Sequence, residues 1–312
     1  MKSTANKSLT LFFIVEPPAM QFLACYLAAS IRENLGWKVR ICGYCPEDSF
    51  RNLDNSVMRC LEKLDCPVKK FSRLNVFNPE YPHGNKILAS MENRGSDFSC
   101  FLDSDIVFRQ SHDILQFCLA GTVSVAPSTN PGPTTEEMWA TIYSEFDMPL
   151  PEERVRFTRK RRGEFIPYFN AGVIYFDENH RSASNQSFPE IWLDTALRIE
   201  KIDGIAKKRP YLDQYSLQVA IARANMNWNI LPDEQNFSLG GRMRHKPLPV
   251  DKEITVVHYR HWGFLAEAGI ADSVYDLLGS GKDAEYIRHF VEIGKIKIHD
   301  HPDFQVAPKE TL

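Results

Sequence analysis

Apolar and polar positions along the first third of the chain follow a strand-then-helix rhythm. Leu9–Val15 is an unbroken apolar run that stops at Glu16-Pro17-Pro18, which predicts a buried strand. Lys2 and Lys7 precede it, but no small-residue cleavage site follows, so the run reads as a strand rather than a secretion signal. Pro17 and Pro18 suit the first turn of a helix, where a missing N–H has no consequence. Met20, Leu23, Leu27 and Ile31 keep one helical face apolar up to Gly36, a residue suited to a helix end. Val39–Cys42 predicts a second strand, and Asp48 or Ser49 caps a helix running to about Leu64. Val68–Phe71 predicts a third strand, residues 84–94 a helix closed by Gly95, and Phe98–Leu102 and Val123–Ala126 two more strands.

The middle of the chain breaks this rhythm. Residues 127–165 carry Pro127, Pro131, Pro133 and Pro149, threonine-rich turns and a basic run, which predicts a partly mobile excursion with one helix near Thr135–Phe146. Ile166–Phe176 returns as a strand. Helices are expected at Pro189–Ile202 and Asp213–Asn225, strands at Trp228–Leu231 and Ile254–Tyr259, and one or two helices over Asp272–Glu292. A βαβα order of this kind implies an α/β protein with a mainly parallel, doubly wound sheet. Ligands of such sheets sit beyond the carboxyl ends of the strands. Glu16 and Asp103 both lie at such ends, hence on one rim.

Composition narrows the picture. The 312 residues carry 37 Lys and Arg against 40 Asp and Glu, a net charge of −3, which disfavours a general nucleic-acid binder. No stretch approaches the roughly 20 apolar residues that span a bilayer. Seven cysteines, an odd number in a long chain, suggest free thiols and a cytoplasmic setting. Cys42 and Cys45 form a lone CxxC with no second tight pair, so they read as small core residues rather than a zinc or redox site.

The chemistry centres on Phe101-Leu102-Asp103-Ser104-Asp105-Ile106-Val107-Phe108. In extended chain Asp103 and Asp105 point to the same side, across the small Ser104. Two carboxylates at a strand end can hold a divalent cation, and the cation can neutralise a leaving diphosphate. A second reading is a haloacid-dehalogenase-type phosphatase with Asp103 as nucleophile. That motif normally follows the first strand of its fold, whereas three strands precede it here.

Further segments resemble the family 8 glycosyltransferases, which include lipopolysaccharide galactosyltransferases and glycogenin. Phe169-Asn170-Ala171-Gly172-Val173 is similar to that family's Asn-Ala-Gly strand, Asp213-Gln214 to its Asp-Gln helix start, and His258 to its third metal ligand at a strand end. Lys86, in Gly84-Asn85-Lys86-Ile87, is placed as the family's basic residue before DxD, which is more often Arg. The resemblance implies a GT-A fold: Rossmann-like, with a mostly parallel sheet flanked by helices. Residues 1–126 would form its nucleotide-binding half, 127–265 its donor-sugar and acceptor half, and 266–312 a helical tail.

It also implies a hexosyltransferase using a nucleotide diphosphate sugar, UDP being favoured, and a carbohydrate or glycolipid acceptor. Asp103, Asp105 and His258 would hold the metal. Two carboxylates with an imidazole suit Mn²⁺ better than Mg²⁺. Glu16, Lys86, Ser104, Asn170, Ala171, Gly172, Asp213 and Gln214 would line the donor, with Asp213 and Gln214 nearest the reacting carbon. Plainer readings stand beside these: a core histidine, a solvated helix lysine, a strand-end asparagine, a helix cap. A non-catalytic, carbohydrate-binding relative is the third functional alternative.

The chain departs from the family where a His-x-x-Gly-x-x-Lys-Pro-Trp signature is usual. It reads His258-Tyr259-Arg260-His261-Trp262-Gly263-Phe264, with the glycine displaced and the lysine absent. Arg260 or His261 is the expected substitute at the diphosphate. With no strong candidate for an inverting base, retention of configuration is favoured. The run Arg154, Arg156, Arg159, Lys160, Arg161 and Arg162 reads either as a solvated face or as a site for an acidic acceptor or anionic lipid surface, a peripheral membrane contact.

Overall fold

A computed structural model describes residues 7–160, 162–205, 207–244 and 246–292. Its centre is a seven-stranded sheet. The strands and helices that build it are β1 (Leu9–Ile14), α1 (Met20–Leu35), β2 (Arg40–Pro46), α2 (Asn55–Lys63), β3 (Val68–Phe71), α3 (Asn85–Ser90) and β4 (Phe98–Leu102). They are followed by β5 (Ile106–Phe108), β6 (Thr122–Pro127), α4 (Glu136–Ser144), β7 (Phe169–Asp177), α5 (Phe188–Lys201), α6 (Leu212–Arg223) and β8 (Asn227–Ile230). Then come β9 (Phe237–Ser238), β10 (Val256–His258), α7 (Gly263–Glu267), α8 (Ala271–Tyr275) and α9 (Lys282–Glu292).

The sheet order is β3-β2-β1-β4-β7-β6-β8. All its pairings are parallel except those of β7, which runs antiparallel to both β4 and β6. The apolar runs lie inside: every residue of β1, β4, β6 and β7 is buried. Two apolar cores cover the sheet, one led by α1 and the other by α5 and α6. Because β7 joins β4 to β6, the chain before and after residue 127 shares one sheet.

A second sheet was not foreseen. Strands of two and three residues are too short to show a period. β10 pairs antiparallel with β5 and parallel with β9, which sets His258 opposite Ile106.

Several boundaries differ from expectation, each for a local reason. The second helix starts at Asn55 and is capped by Asp54, which accepts from Ser56 N at 2.7 Å. Asp48 instead pairs with Arg73 at 3.0 Å. The third helix ends at Ser90 because the buried Arg94 guanidinium caps its last carbonyls, donating to Ala89 O at 2.8 Å and Ser90 O at 2.7 Å. Within the excursion 127–165, Val155 and Phe157 are buried, Val155 bridges to Phe165, and Phe157 stacks on Phe165 at 4.7 Å. Cys42 and Cys45 are buried in β2, where burial pushes the Cys45 thiol up to about 12. No described helix is long and apolar enough to cross a membrane.

Candidate active site

The rim beyond the carboxyl ends of β1 and β4 gathers most of the residues singled out in the sequence. β7 runs the other way, so its amino-terminal end, Asn170–Gly172, arrives at the same rim. Asp103 N donates to Gly172 O at 2.8 Å, stitching the two together. The Ser104 hydroxyl donates to Ile14 O at 2.6 Å and ties the acidic turn to the end of β1. Tyr259 N donates to Asp105 O at 3.0 Å, which brings His258 alongside.

Asp103, Asp105 and His258 each offer a ligand atom, and these atoms lie within 4.8 Å of one another. Among the described residues they are the one group of three or more such side chains. His258 Nε2 is 3.3 Å from Asp105 Oδ1 and 3.8 Å from Asp103 Oδ2. Its other ring nitrogen, Nδ1, meets Asn236 Oδ1 at 3.1 Å. Asn236 Nδ2 in turn donates to Asn170 Oδ1 at 2.8 Å, and Gly172 N donates to the same oxygen at 3.1 Å. This chain of amides makes Nδ1 the donor and turns Nε2 toward the carboxylates. Burial alone would raise the Asp105 carboxyl. His258, and behind it Arg260, outweigh burial and hold it at about 2.

The group fits a divalent cation. Ligand atoms about 2.1 Å from one ion lie at most about 4.2 Å apart, so only small side-chain rotations are needed. Gly172 leaves the space: a Cβ there would meet His258 Cε1 at 2.7 Å, Asn170 Oδ1 at 2.8 Å and Asp103 Oδ2 at 2.9 Å.

Lys86 is buried, not solvated. Its ammonium reaches Asp103 Oδ1 at 2.9 Å, Asp213 Oδ2 at 3.0 Å and Ala171 O at 3.1 Å, which uses all three of its protons. The Ala171 carbonyl is within reach because the β6–β7 register jumps from Val125↔Ile174 to Ala126↔Asn170. Burial disfavours the ammonium, but Asp103 and Asp213 outweigh it and keep it firmly charged. Two carboxylates thus share one ammonium, while Asp105 faces His258.

Asp213 is buried at the start of α6. The Tyr81 hydroxyl lies 2.8 Å from its Oδ1 and 2.7 Å from Pro210 O, and accepts from Asp213 N at 3.1 Å. Gln214 is half-buried beside it.

Asn85 links a further group: its Nδ2 donates to Glu16 Oε2 at 2.8 Å, while Arg73 holds Glu16 Oε1 at 2.6 Å. Burial lifts the Glu16 carboxyl above its ordinary value, with Arg73 opposing.

The segment 169–172, Lys86, the acidic pair, Asp213 and His258 therefore converge on a common rim. The chain belongs to the Rhodobacterales glycosyltransferase domain family, whose model matches residues 11–225. It is an enzyme of the glycosyltransferase class. Solved structures support the GT-A fold. The bifunctional glycosyltransferase WbbM superposes with a TM-score of 0.53 at 13% identity, over 93% of this chain and 52% of that one. This transferase thus spans about half of the WbbM chain. An active-site mutant of LgtC gives 0.51 at 12% identity over 85% and 95% of the two chains. Galactosyltransferase LgtC with donor and acceptor sugar analogs gives 0.50 at 13% over 89% and 99%. No curated protein matches the sequence. Nothing in these likenesses favours a phosphatase.

Other predicted residues are placed less centrally. Arg260 has a positive φ of 60° and donates from Nε to Ser238 Oγ at 2.8 Å. The His261 ring accepts from Gly263 N at 3.1 Å. The basic run is not one face. Arg159 turns inward to Asp233 at 2.7 Å and Arg156 pairs with Glu164 at 3.2 Å. Arg154 bonds the carbonyls of Pro151, Glu152 and Glu153. Arg161 lies outside the described residues. Sequence reasoning missed Tyr81, Asn236, Asn85 and Arg73. Only Asn85 had a local signal, as Lys86's neighbour at the helix start.

Proposed function

We propose that this enzyme transfers a hexose from a nucleotide diphosphate sugar, UDP being the favoured nucleotide, to a carbohydrate or glycolipid acceptor. The observation that carries the reading is the orientation of His258: its Nδ1 is committed to Asn236, so Nε2 turns toward Asp103 and Asp105. Two carboxylates and an imidazole form a donor set suited to Mn²⁺. A bound cation there would stabilise the leaving diphosphate as the glycosidic bond to it breaks.

The chain's own residues supply the rest. Lys86 holds Asp103 and Asp213 at fixed spacing, and Tyr81 fixes the second Asp213 oxygen, so the carboxylate is preset for donor-sugar hydroxyls. Asn170, Ala171 and Gly172 bring backbone close to the sugar, and Ser104 holds the acidic turn. Glu16, braced by Arg73 and Asn85, faces the nucleoside from the end of β1. Arg260 takes the diphosphate in place of the family's lysine, and its strained backbone matches the strain often stored at functional positions. Gln214 lies on the acceptor side.

Among the described residues of this rim, the carboxylates are already engaged: Asp103 and Asp105 with the metal position, Asp213 with Lys86 and Tyr81, Glu16 with Arg73. That favours retention over an inverting general base. On this reading residues 1–126 bind the nucleotide, 127–265 the donor sugar and acceptor, and 266–312 form a helical tail whose described part braces α1 and α2, residues 293–312 lying outside the described residues. The exposed arginines 154, 156 and 162 would meet an acidic acceptor or anionic lipid.

Hydrolysis of a panel of nucleotide sugars with and without Mn²⁺ tests the proposal. Turnover of one donor, dependent on Mn²⁺ and lost in Asp105→Ala, supports it. Metal-independent turnover, or full activity in Asp105→Ala, overturns it. Reversing charge at 154, 156 and 162 should raise acceptor KM or release the protein from anionic vesicles.

A further inference from the structure

Arg159 sits in the basic run yet points away from solvent. Its NH1 donates to both Asp233 oxygens, at 2.8 Å and 2.7 Å, and its NH2 to Ser238 O at 3.3 Å. Its guanidinium lies 4.5 Å from the Phe237 ring centroid. Its backbone N donates to Thr129 O at 3.1 Å, and Thr158 N to Ser128 O at 3.2 Å, so the arginine is anchored to the segment that leaves β6. Its Nε is buried without a hydrogen-bond partner among the described residues, a cost that a solvated arginine would not carry.

The segment Arg159 grips, Asp233 to Ser238, holds Asn236 at its middle. Asp233 begins a single 3-10 turn, Asp233–Gln235, and Ser238 ends β9, where it pairs with His258 in β10. Asn236 therefore hangs between two points fixed by one side chain. Lys252 also reaches Asp233, at 3.4 Å, but from the exposed side and without touching Ser238.

We infer that Arg159 is a positioning residue for the metal ligand His258, acting through Asp233, Ser238 and Asn236 from the proposed acceptor half of the chain. A guanidinium suits the task because its planar fork can hold a carboxylate and a carbonyl at once, which an ammonium on a flexible stem does less well. The inference rests on the metal-site reading above, and a metal-free readout separates the two.

The test compares wild type, Arg159→Ala, Asn236→Ala and Arg156→Ala. The first readout is the ¹⁵N–¹H signal of His258 Nδ1 in metal-free protein, which reports its bond to Asn236 whatever proton Nε2 carries. Wild type and Arg156→Ala should show a protected Nδ1–H signal. Asn236→Ala and Arg159→Ala should lose it. The second readout is Mn²⁺ binding by calorimetry, with Arg159→Ala weakened on the order of 10-fold and Arg156→Ala unchanged.

An unaltered ring pattern in Arg159→Ala overturns the inference, whatever happens to Mn²⁺. If wild type binds no Mn²⁺ while the ring pattern still depends on Arg159, the positioning stands and the metal reading falls. Should Arg159→Ala not fold, Asp233→Asn removes the same grip more gently. A wild-type ring pattern there overturns the inference, and a weakened Nδ1–H signal supports it.

Discussion

The Lys86 ammonium lies 3.0 Å from Asp213, although three strands of the central sheet lie between α3 and α6 in sequence. The same ammonium holds Asp103 at 2.9 Å, so one buried cation joins the end of β4 to the start of α6.

Replacing that cation should therefore destabilise the fold as well as the site. Lys86→Met leaves the buried Asp213 carboxylate and the Asp103 carboxylate uncompensated, and breaking such a buried pair costs about 3–5 kcal/mol. Urea unfolding of the variant checks this. A loss no larger than the ~1 kcal/mol of a surface pair would show that Lys86 is not a structural keystone.

Gly172→Ala is expected to separate function from stability. The added Cβ would collide with His258, Asn170 and Asp103 at 2.7–2.9 Å. Overpacking of this kind costs about 1–3 kcal/mol, but it displaces two of the proposed metal ligands at once. Donor turnover should fall by at least ~100-fold, since small misplacements at a reacting centre are that costly. A variant with normal turnover would remove Gly172 from the site.

Metal should stabilise the protein through the same cluster. An ion that binds the folded state alone stabilises it by about 2.7 kcal/mol at 100 times its Kd. Thermal unfolding with Mn²⁺ and then excess chelator should show an upward shift that reverses. In Asp105→Ala the midpoint should not respond to Mn²⁺, and a shift equal to wild type would place the ion elsewhere.

Acid should loosen the C-terminal helix first. Arg59 on α2 grips Asp283 at the start of α9 at 2.6 Å, and this hydrogen-bonded contact holds the Asp283 carboxyl down at about 2. A depressed carboxyl contributes stability that is full above its unfolded value near 3.9 and is lost as pH falls toward its folded value. Protection from hydrogen exchange in α9 should therefore fall between about pH 4 and pH 2, and Arg59→Ala should shrink that pH dependence. Because the pair is at the surface, high salt should weaken the effect.

Particular residues show where sequence reading stopped. Leu9–Val15 and Phe98–Leu102 were legible as buried strands because unbroken apolar runs leave few alternatives, and the structure makes β1 and β4 of them. The second helix was misplaced because Asp48 and Asp54 are equally good caps. Only Arg73, more than twenty residues on, takes Asp48 away. Arg159 looked like part of a solvated charge run, and nothing near it in sequence reveals Asp233 as its partner. Lys86 was marked by its placement before the acidic pair, but its burial and triple engagement were not visible.

What the sequence determined alone was local: the rhythm of strands and helices, the parallel sheet that rhythm requires, and an acidic pair presented at a strand end. Those follow from side-chain periodicity and from backbone hydrogen bonding, which act over a few residues. What only the tertiary structure decided was which distant groups meet the pair. Asn236 orients His258, Tyr81 fixes Asp213, and Lys86 bridges two carboxylates because the antiparallel β7 and the small β5-β10-β9 sheet carry them to one rim. These contacts span tens to more than a hundred residues. Their energies come from burying charge and amides against specific partners, which no local pattern encodes.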